Sequence, residues 1–375
     1  MKLFIPTQVH DIHAKVVAKA LASKGHEASL WYGSDLPTDQ TLSLSYRDTR
    51  EPSLELRGVD LEFDGNADVV WLRRPSLPTL PDTMYPGDRV FADREWRHAL
   101  GGVWDALAST GFWINPRVAA HRAECKPAQL VEAAHVGLRV PPSLLSNDPH
   151  RIRSFIRDNA PNETIYKPFT TSQWAMDDGC AAYLFTAVVD EEALPPDEIL
   201  RLSPGIFQPR LAKDHELRVT FIGNQMFVAK LRSQSVDGAR VDWRAKTRAV
   251  ATEPGSLPAE IEARCRALMH RLGLVFACFD FIVTPSGQHV FLEVNQMGQF
   301  LWLEELVPDM PLLDAFCEFV IQGRPDFSWH PPVPGEGLRF RDFYDEADHA
   351  AVDERHVAQP MIYLLSDDPC GDTAA

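Results

Sequence analysis

The stretch from Phe279 to Phe300, FDFIVTPSGQHVFLEVNQMGQF, constrains the fold of this chain most. Two apolar runs meet at Pro285-Ser286-Gly287, a set of turn residues, so the segment reads as a hairpin of two buried strands. Three polar residues interrupt it: Asp280 in the first run, Glu293 and Asn295 in the second. Residues i and i+2 of a strand point to one face, so Glu293 and Asn295 share a face, and the returning strand brings Asp280 towards Glu293. Two carboxylates and an amide oxygen meeting there are hard oxygen donors of the kind Mg²⁺ prefers. With no cation they would repel, and one would take up a proton. The plainer reading of the same residues is an edge strand with polar side chains facing water.

A charge pattern adds to this. Lys+Arg 37 against Asp+Glu 53 gives a net charge of −16, which excludes the cationic surface that non-specific nucleic-acid binding needs. Yet Arg210 to Arg248 holds nine Lys/Arg and four Asp/Glu, a local +5, whereas Pro331 to Ala375 holds three Arg and ten acids, a local −7. A basic island in an acidic chain is a candidate anion site. Glu216 and Arg218 share one face of ELRV, and Lys230 and Arg232 share one face of AKLRS. With Arg218, Lys230 and Arg232 on facing strands, this region could hold a polyphosphate or a carboxylate. Ordinary cross-strand ion pairing is the alternative. The acidic tail cannot attract such an anion, so it is expected outside the site, and its loss after roughly Gln322 is expected to spare binding there.

The remaining pattern is α/β. An apolar KLFIPT, a helical period from Asp11 to Lys24, the alternating LSLSYR and SLELRG, a buried DVVWLRRP, a helix from Arg94 to Ser109 and FWINP describe a doubly wound unit over residues 1–118. A second unit, 119–205, opens with one helical run, AAHRAECKPAQLVEAAHVGL, followed by a helix from Pro149 to Asn159 and strands TIYKPF and AAYLFTAVV around the loop TTSQWAMDDGC. A third, 206–325, carries the strands IFQPRLA, ELRVTFIG and NQMFVAKLRS, a helix from Leu257 to Leu272, the opening hairpin and a closing helix from Asp309 to Gln322; residues 326–375 form an acidic extension. No window approaches the ~18 consecutive apolar residues of a membrane-spanning helix, and no signal peptide is read at the N-terminus. The six cysteines form no CxxC pair, which fits a reducing cytoplasm. His10 and His13, at i and i+3, have no further ligand cluster, so no zinc site is read there.

The order and spacing of these motifs resemble an ATP-grasp carboxylate–amine ligase, whose metal signature is an Asp on one strand and Glu-x-Asn on the next. The strings VVWLRRP, INP, GLRVPPSLLSNDP, IYKPF, ELRVTFIG and FLEVNQMGQFLWLEE narrow the resemblance to the microviridin-type ligases, the maturases of graspetides, over about residues 1 to 325. The resemblance implies an ATP-grasp fold: an N-terminal pre-ATP-grasp α/β domain, a central domain and an ATP-binding domain. It implies ATP and Mg²⁺ as cofactors, with Asp280, Glu293 and Asn295 as the metal ligands. Lys126 and Lys167 would bind phosphates. Gln208, Pro209, Arg210 and Leu211 would form the adenine hinge, although Pro209 replaces an expected acidic residue. Lys213 would lie at the nucleotide's edge, and Lys230 would join the phosphate side. Thr170 to Gly179 matches the family's mobile phosphate-covering loop. Arg218 and Arg232 would meet the γ-phosphate and the acyl phosphate, with Glu216 orienting Arg218. The implied partner is a ribosomal precursor peptide, leader and core, and the implied assembly a cytoplasmic homodimer. Two other functions share these residues: ligation of free amino acids or small peptides, and non-catalytic binding of a nucleotide or leader peptide by a decayed site.

Overall fold

The computed structural model describes residues 1–47, 52–109, 111–169, 172–175, 181–184, 186–333, 336–348 and 355–357. The chain opens with β1 (Lys2–Thr7), α1 (Ile12–Ser23) and β2 (Glu27–Tyr32). Asp11 caps α1, its carboxylate accepting from the His13 amide. A three-stranded antiparallel sheet follows, β3 (Gln40–Ser45), β4 (Ser53–Gly58) and β5 (Leu61–Phe63). Its alternating sequence buries Leu54 and Leu56 and leaves their neighbours in water. The chain then returns to the first sheet through β6 (Val69–Trp71), α2 (Pro86–Ala108) and β7 (Phe112–Ile114). That sheet is parallel, in the order β2-β1-β6-β7.

The helical run expected from Ala119 to Gly137 is two helices, α3 (Arg117–Glu124) and α4 (Lys126–His135), broken at Cys125, whose ψ is 98°. Pro127 is the cause: it has no N–H, and inside one helix its ring would clash with a carbonyl four residues back. The break makes Lys126 the first residue of a helix. Next come β8 (Leu144–Ser146), α5 (Pro149–Asn159), β9 (Thr164–Lys167), β10 (Ser172–Ala175), β11 (Ala181–Leu184), β12 (Ala187–Val189), α6 (Asp197–Leu200) and β13 (Gly205–Pro209). Four of these strands form an antiparallel sheet, β12-β9-β13-β8. Of the loop from Thr170 to Gly179, the β10 backbone is described; the other residues lie outside the described ones.

The largest sheet is antiparallel, in the order β16-β15-β14-β17-β18: β14 (His215–Ile222), β15 (Gln225–Leu231), β16 (Thr252–Pro254), β17 (Phe276–Val283) and β18 (His289–Asn295). Between β16 and β17 runs α7 (Ala259–Leu272); α8 (Leu303–Leu306), α9 (Leu312–Gln322) and α10 (Phe340–Asp348) follow. One face of the sheet packs on α3, α4 and α7 through Leu217, Phe221, Phe279 and Phe281. On the other face Phe276 and Cys278 share a core with α1, β1 and α9, and Phe327, Phe340 and Ala347 of the extension belong to the same core. The N-terminal unit and the largest sheet are thus joined by continuous apolar packing.

Candidate active site

Three neighbouring strands bring the central residues into a row. Arg218 on β14 pairs in register with Asp280 on β17, and Asp280 pairs with Glu293 on β18. The register of the hairpin shifts beside this row: Phe281 pairs with Phe291, so Leu292 is an extra residue in β18. This bulge turns Glu293 to the face of Asp280 while Phe291 stays in the opposite core. Asn295 lies 3.2 Å from Asp280 Oδ2 and 3.4 Å from Glu293 Oε1, donating through Nδ2 as placed. A half-turn of its amide presents Oδ1 to the same point. The three expected metal ligands therefore converge and fit a hard divalent cation.

The electrostatics agree with that fit. Burial is the largest influence on Asp280; with the Glu293 charge, and against Arg218, it holds the Asp280 carboxyl up at about 6. Burial also works to raise Glu293, but Lys126, Arg244 and Lys167 outweigh it and keep that carboxyl below its ordinary range. Lys126 Nζ stands 3.6 Å from Glu293 Oε2 and donates to the Pro168 carbonyl at 3.1 Å. Burial lowers the pKa of Lys167. Both lysines face the cleft that holds the carboxylates. Ile165, Leu211, Ile282 and Leu292 give the same cleft apolar lining, and Gln208 and Pro209 also line it.

Other expected residues stand differently. Gln208 is buried and donates to Ser143 Oγ at 2.8 Å. Pro209 has no N–H, and Arg210 gives its N–H to the Glu163 carbonyl and its guanidinium to the Glu163 carboxylate, so Leu211 carries the next N–H of the hinge. Lys213 lines the cleft, bonded to Glu216 at 2.7 Å and the Val241 carbonyl at 3.2 Å. Glu216 does not orient Arg218: its carboxylate takes Lys213 and the Ser233 hydroxyl at 2.6 Å. Arg218 instead donates to Asp280 at 2.7 Å and to the Gln299 carbonyl at 3.0 Å.

The expected cluster of Arg218, Lys230 and Arg232 does not form. The two-residue turn at Gly223-Asn224 pairs Ile222 with Gln225, so Arg218 faces Ala229 and Lys230 faces Leu217, on the opposite side of the sheet. Lys230 and Arg232 both turn to Glu253 on the neighbouring strand, at 3.5 and 2.7 Å. Their place at the cleft is taken by Arg244, which sequence reasoning missed. Arg244 sits in the 3-10 turn Trp243–Ala249, which has no strand or helix period to expose it. Asp242 caps that turn and grips the guanidinium at 2.9 and 2.7 Å, and Arg244 Nη1 comes within 3.8 Å of Glu293. The Asp-x-Arg spacing inside the basic island is the signal that could have found it.

No protein-family model matches the chain, and no curated protein sequence does. Among solved structures it is similar to the macrocyclase MdnC of Microcystis aeruginosa MRC, bound with precursor peptide MdnA. The two share 28% identity over 86% of this chain and 100% of that one, with a TM-score of 0.75. It is also similar to a RiPP-associated ATP-grasp ligase of Chryseobacterium gregarium, in complex with ADP and a leader and core peptide. There the identity is 23% over 88% of this chain and 99% of that one, with a TM-score of 0.76. A third similar structure is the ATP-grasp ligase PsnB with minimal precursor, Mg and ADP, at 22% identity over 86% and 96% and a TM-score of 0.67.

Proposed function

We infer that this chain is an ATP-grasp ligase of ribosomal precursor peptides, a graspetide maturase that forms ADP as it closes side-chain esters or amides. The likeness to MdnC over all of that enzyme's length carries the reading. The cleft supports it: Lys126 and Lys167 line it together with the carboxylates of Asp280 and Glu293, and the Asn295 amide lies 3.2 and 3.4 Å from those two carboxylates. We assign residues 1–118 to a pre-ATP-grasp domain, 119–205 to the central domain and 206–325 to the ATP-binding domain, with 326–375 as an extension.

In the first step a side-chain carboxylate of a precursor Asp or Glu attacks the γ-phosphorus of ATP. The bond to the bridging oxygen breaks, ADP departs, and a poor acyl donor becomes an acyl phosphate. A Ser or Thr hydroxyl, or a Lys amine, of the same peptide then attacks the acyl carbon, expelling phosphate and losing its proton. The protein supplies position and charge complementarity. Lys126 and Lys167 hold phosphate oxygens, and the apolar slot with the Leu211 N–H receives the base. Asp280, Glu293 and Asn295 would hold Mg²⁺, which would offset the negative charge of the phosphates. Arg218 and Arg244, each already anchored by one carboxylate, keep rigid positive forks beside that site. Arg232, held at Glu253, is not assigned to it.

Retention of both lysines and all three oxygen ligands speaks against a decayed, non-catalytic site. The reading also includes a cytoplasmic homodimer, for which light scattering should give twice the chain mass of 42.1 kDa. No helix among the described residues is long and apolar enough to cross a membrane. The decisive experiment is co-expression with each short precursor-like reading frame found near the gene, followed by mass spectrometry. Each ring should lower the peptide mass by one water, about 18 Da, because each condensation expels one. An unchanged precursor, with ADP released only when free amino acids are supplied, would reject peptide maturation.

A further inference from the structure

The segment from Gln296 to Leu301 leaves the metal strand without joining another, so its backbone polar groups need other partners. Side chains supply them. Asn115 Nδ2 donates to the Gln296 carbonyl at 2.8 Å. Arg73 Nη1 donates to the carbonyls of Met297 at 2.6 Å and Gly298 at 3.2 Å. The Gln299 carbonyl accepts from Arg218 Nη2 at 3.0 Å and from Trp302 Nε1 at 3.1 Å. His13 Nε2 accepts from the Phe300 and Leu301 amides at 3.3 and 3.2 Å. Gly298 lets the segment lie this close: a Cβ there would stand 2.4 Å from the sulfur of Cys278, the residue paired with Asn295.

Arg73 and His13 belong to the N-terminal unit, and both are buried. Placing a guanidinium there demands a counter-charge. Asp11 provides it, 3.0 Å from Arg73 Nε, and is itself held by the Thr7 hydroxyl at 3.0 Å. The same Asp11 caps α1 and so fixes the turn that presents His13. Burial, then the Arg73 charge, pushes the His13 ring down to about 3, so it is a neutral acceptor at working pH. Among the described residues that line the nucleotide cleft, none is His13, Arg73 or Asp11, and the network reaches the reacting centre through the Gln299 carbonyl and Arg218 to Asp280.

We propose that Arg73 and His13 are positioning residues for Arg218: they fix the 297–301 backbone, and that backbone holds the guanidinium in place against Asp280. The proposal rests on the reading of the chain as a ligase. It gives the N-terminal unit a part in the chemistry that needs no contact with ATP or peptide.

The test is a double-mutant cycle on the full chain, reading ADP formation with the precursor peptide that the co-expression experiment identifies. His13→Leu removes the acceptor without stranding a charge, and should lower kcat about tenfold or more while KM for ATP changes by less than about twofold. His13→Gln, which restores an acceptor oxygen, should recover part of it. In an Arg218→Lys background the same His13→Leu change should cost less than about twofold, because the residue it positions is already impaired. Hydrogen exchange at the Phe300 and Leu301 amides should quicken in His13→Leu, a readout that needs no substrate. Equal losses in both backgrounds, or full turnover in a folded His13→Leu protein, overturn the proposal. If His13→Leu does not fold, Arg73→Lys takes its place with the same two outcomes, since Lys keeps the charge beside Asp11 but not the fork. A wild-type protein that leaves the peptide unchanged would instead reject the ligase reading, and the exchange measurement would still judge the hold of His13 on the Phe300 and Leu301 amides.

Discussion

Arg218 and Arg232 lie fourteen positions apart in one basic island, and what each already holds separates them. Arg218 is buried against Asp280, inside the row that ends at Glu293; Arg232 is exposed and spent on Glu253. Removing a charged donor aimed at a transition state costs about 3 kcal/mol, roughly a hundredfold in rate. Arg218→Ala and Arg244→Ala should each lose that much in single-turnover ADP formation while ADP still binds. Arg232→Ala should stay within about twofold of wild type, since an exposed pair contributes little. A hundredfold loss in Arg232→Ala would return it to the site and remove the reason for preferring Arg244. Glu293→Gln keeps the shape and removes an anionic ligand, so it should abolish ligation with the melting curve nearly unchanged; near-normal turnover at saturating Mg²⁺ would sink the metal assignment. Asp280, Glu293 and Asn295 were legible in sequence because carboxylates in apolar strands need a reason. Arg244 was not, because its position depends on a capped turn between strands. The face of Lys230 depends on where a two-residue turn starts, and one residue of slip exchanges the faces.

At the scale of elements, local punctuation was readable where it acts on its own segment. Gly223-Asn224 and Pro285-Ser286-Gly287 mark hairpins that form there. The bulge at Leu292 was hidden, because only the conflict between burying Phe291 and exposing Glu293 to the cleft reveals it. The helix expected from Arg94 begins earlier, at Pro86, and its first turns carry no apolar stripe to reveal them: Val90 and Phe91 are exposed there. Glu304 makes an element-scale prediction. From α8 it accepts the Leu313 amide of α9 at 2.6 Å and the Phe340 amide of α10 at 2.7 Å, tying three helices together. Burial pushes its carboxyl up from 4.5 to about 7. The folded state therefore keeps the proton where the unfolded chain has lost it. The associated stability is complete below about pH 4.5 and is lost as pH rises to about 7, on the order of 3 kcal/mol in all. Between pH 5 and 8 the melting temperature of wild type should fall relative to Glu304→Gln. Parallel curves for the two proteins would show that Glu304 ionises alike in both states.

Across the whole molecule, charge and packing assign the extension different roles along its length. Its acidity placed it outside the nucleotide site, and no residue of 326–375 lines the cleft among the described ones. Its apolar residues were the harder part to read, because Phe327, Phe340 and Ala347 are scattered through a polar, proline-rich stretch with no period. They enter the core shared by α1, β1, α9 and the largest sheet, and Phe340 N is bound by Glu304. Further on, His356 and the Val357 amide both bond to Asp35, at 2.8 Å each, and Arg355 pairs with Asp60. Truncation after Gln322 would strip two phenylalanines from a closed core, at about 2–3 kcal/mol each, against a typical total stability of about 5–15 kcal/mol. Truncation after Val357 keeps the core residues and the Asp35 contacts. The shorter cut should therefore leave the melting temperature and ADP affinity close to wild type. The longer cut should lower the melting temperature by many degrees, and should weaken ADP binding only as far as it unfolds the chain. Calorimetric titration of ADP at a temperature where both truncations remain folded separates the two effects. Equal affinity in the folded fractions would place the extension in stability alone. A weaker affinity in a fully folded Gln322 truncation would mean that the packed helix also shapes the cleft, through α1, His13 and the backbone from Met297 to Leu301.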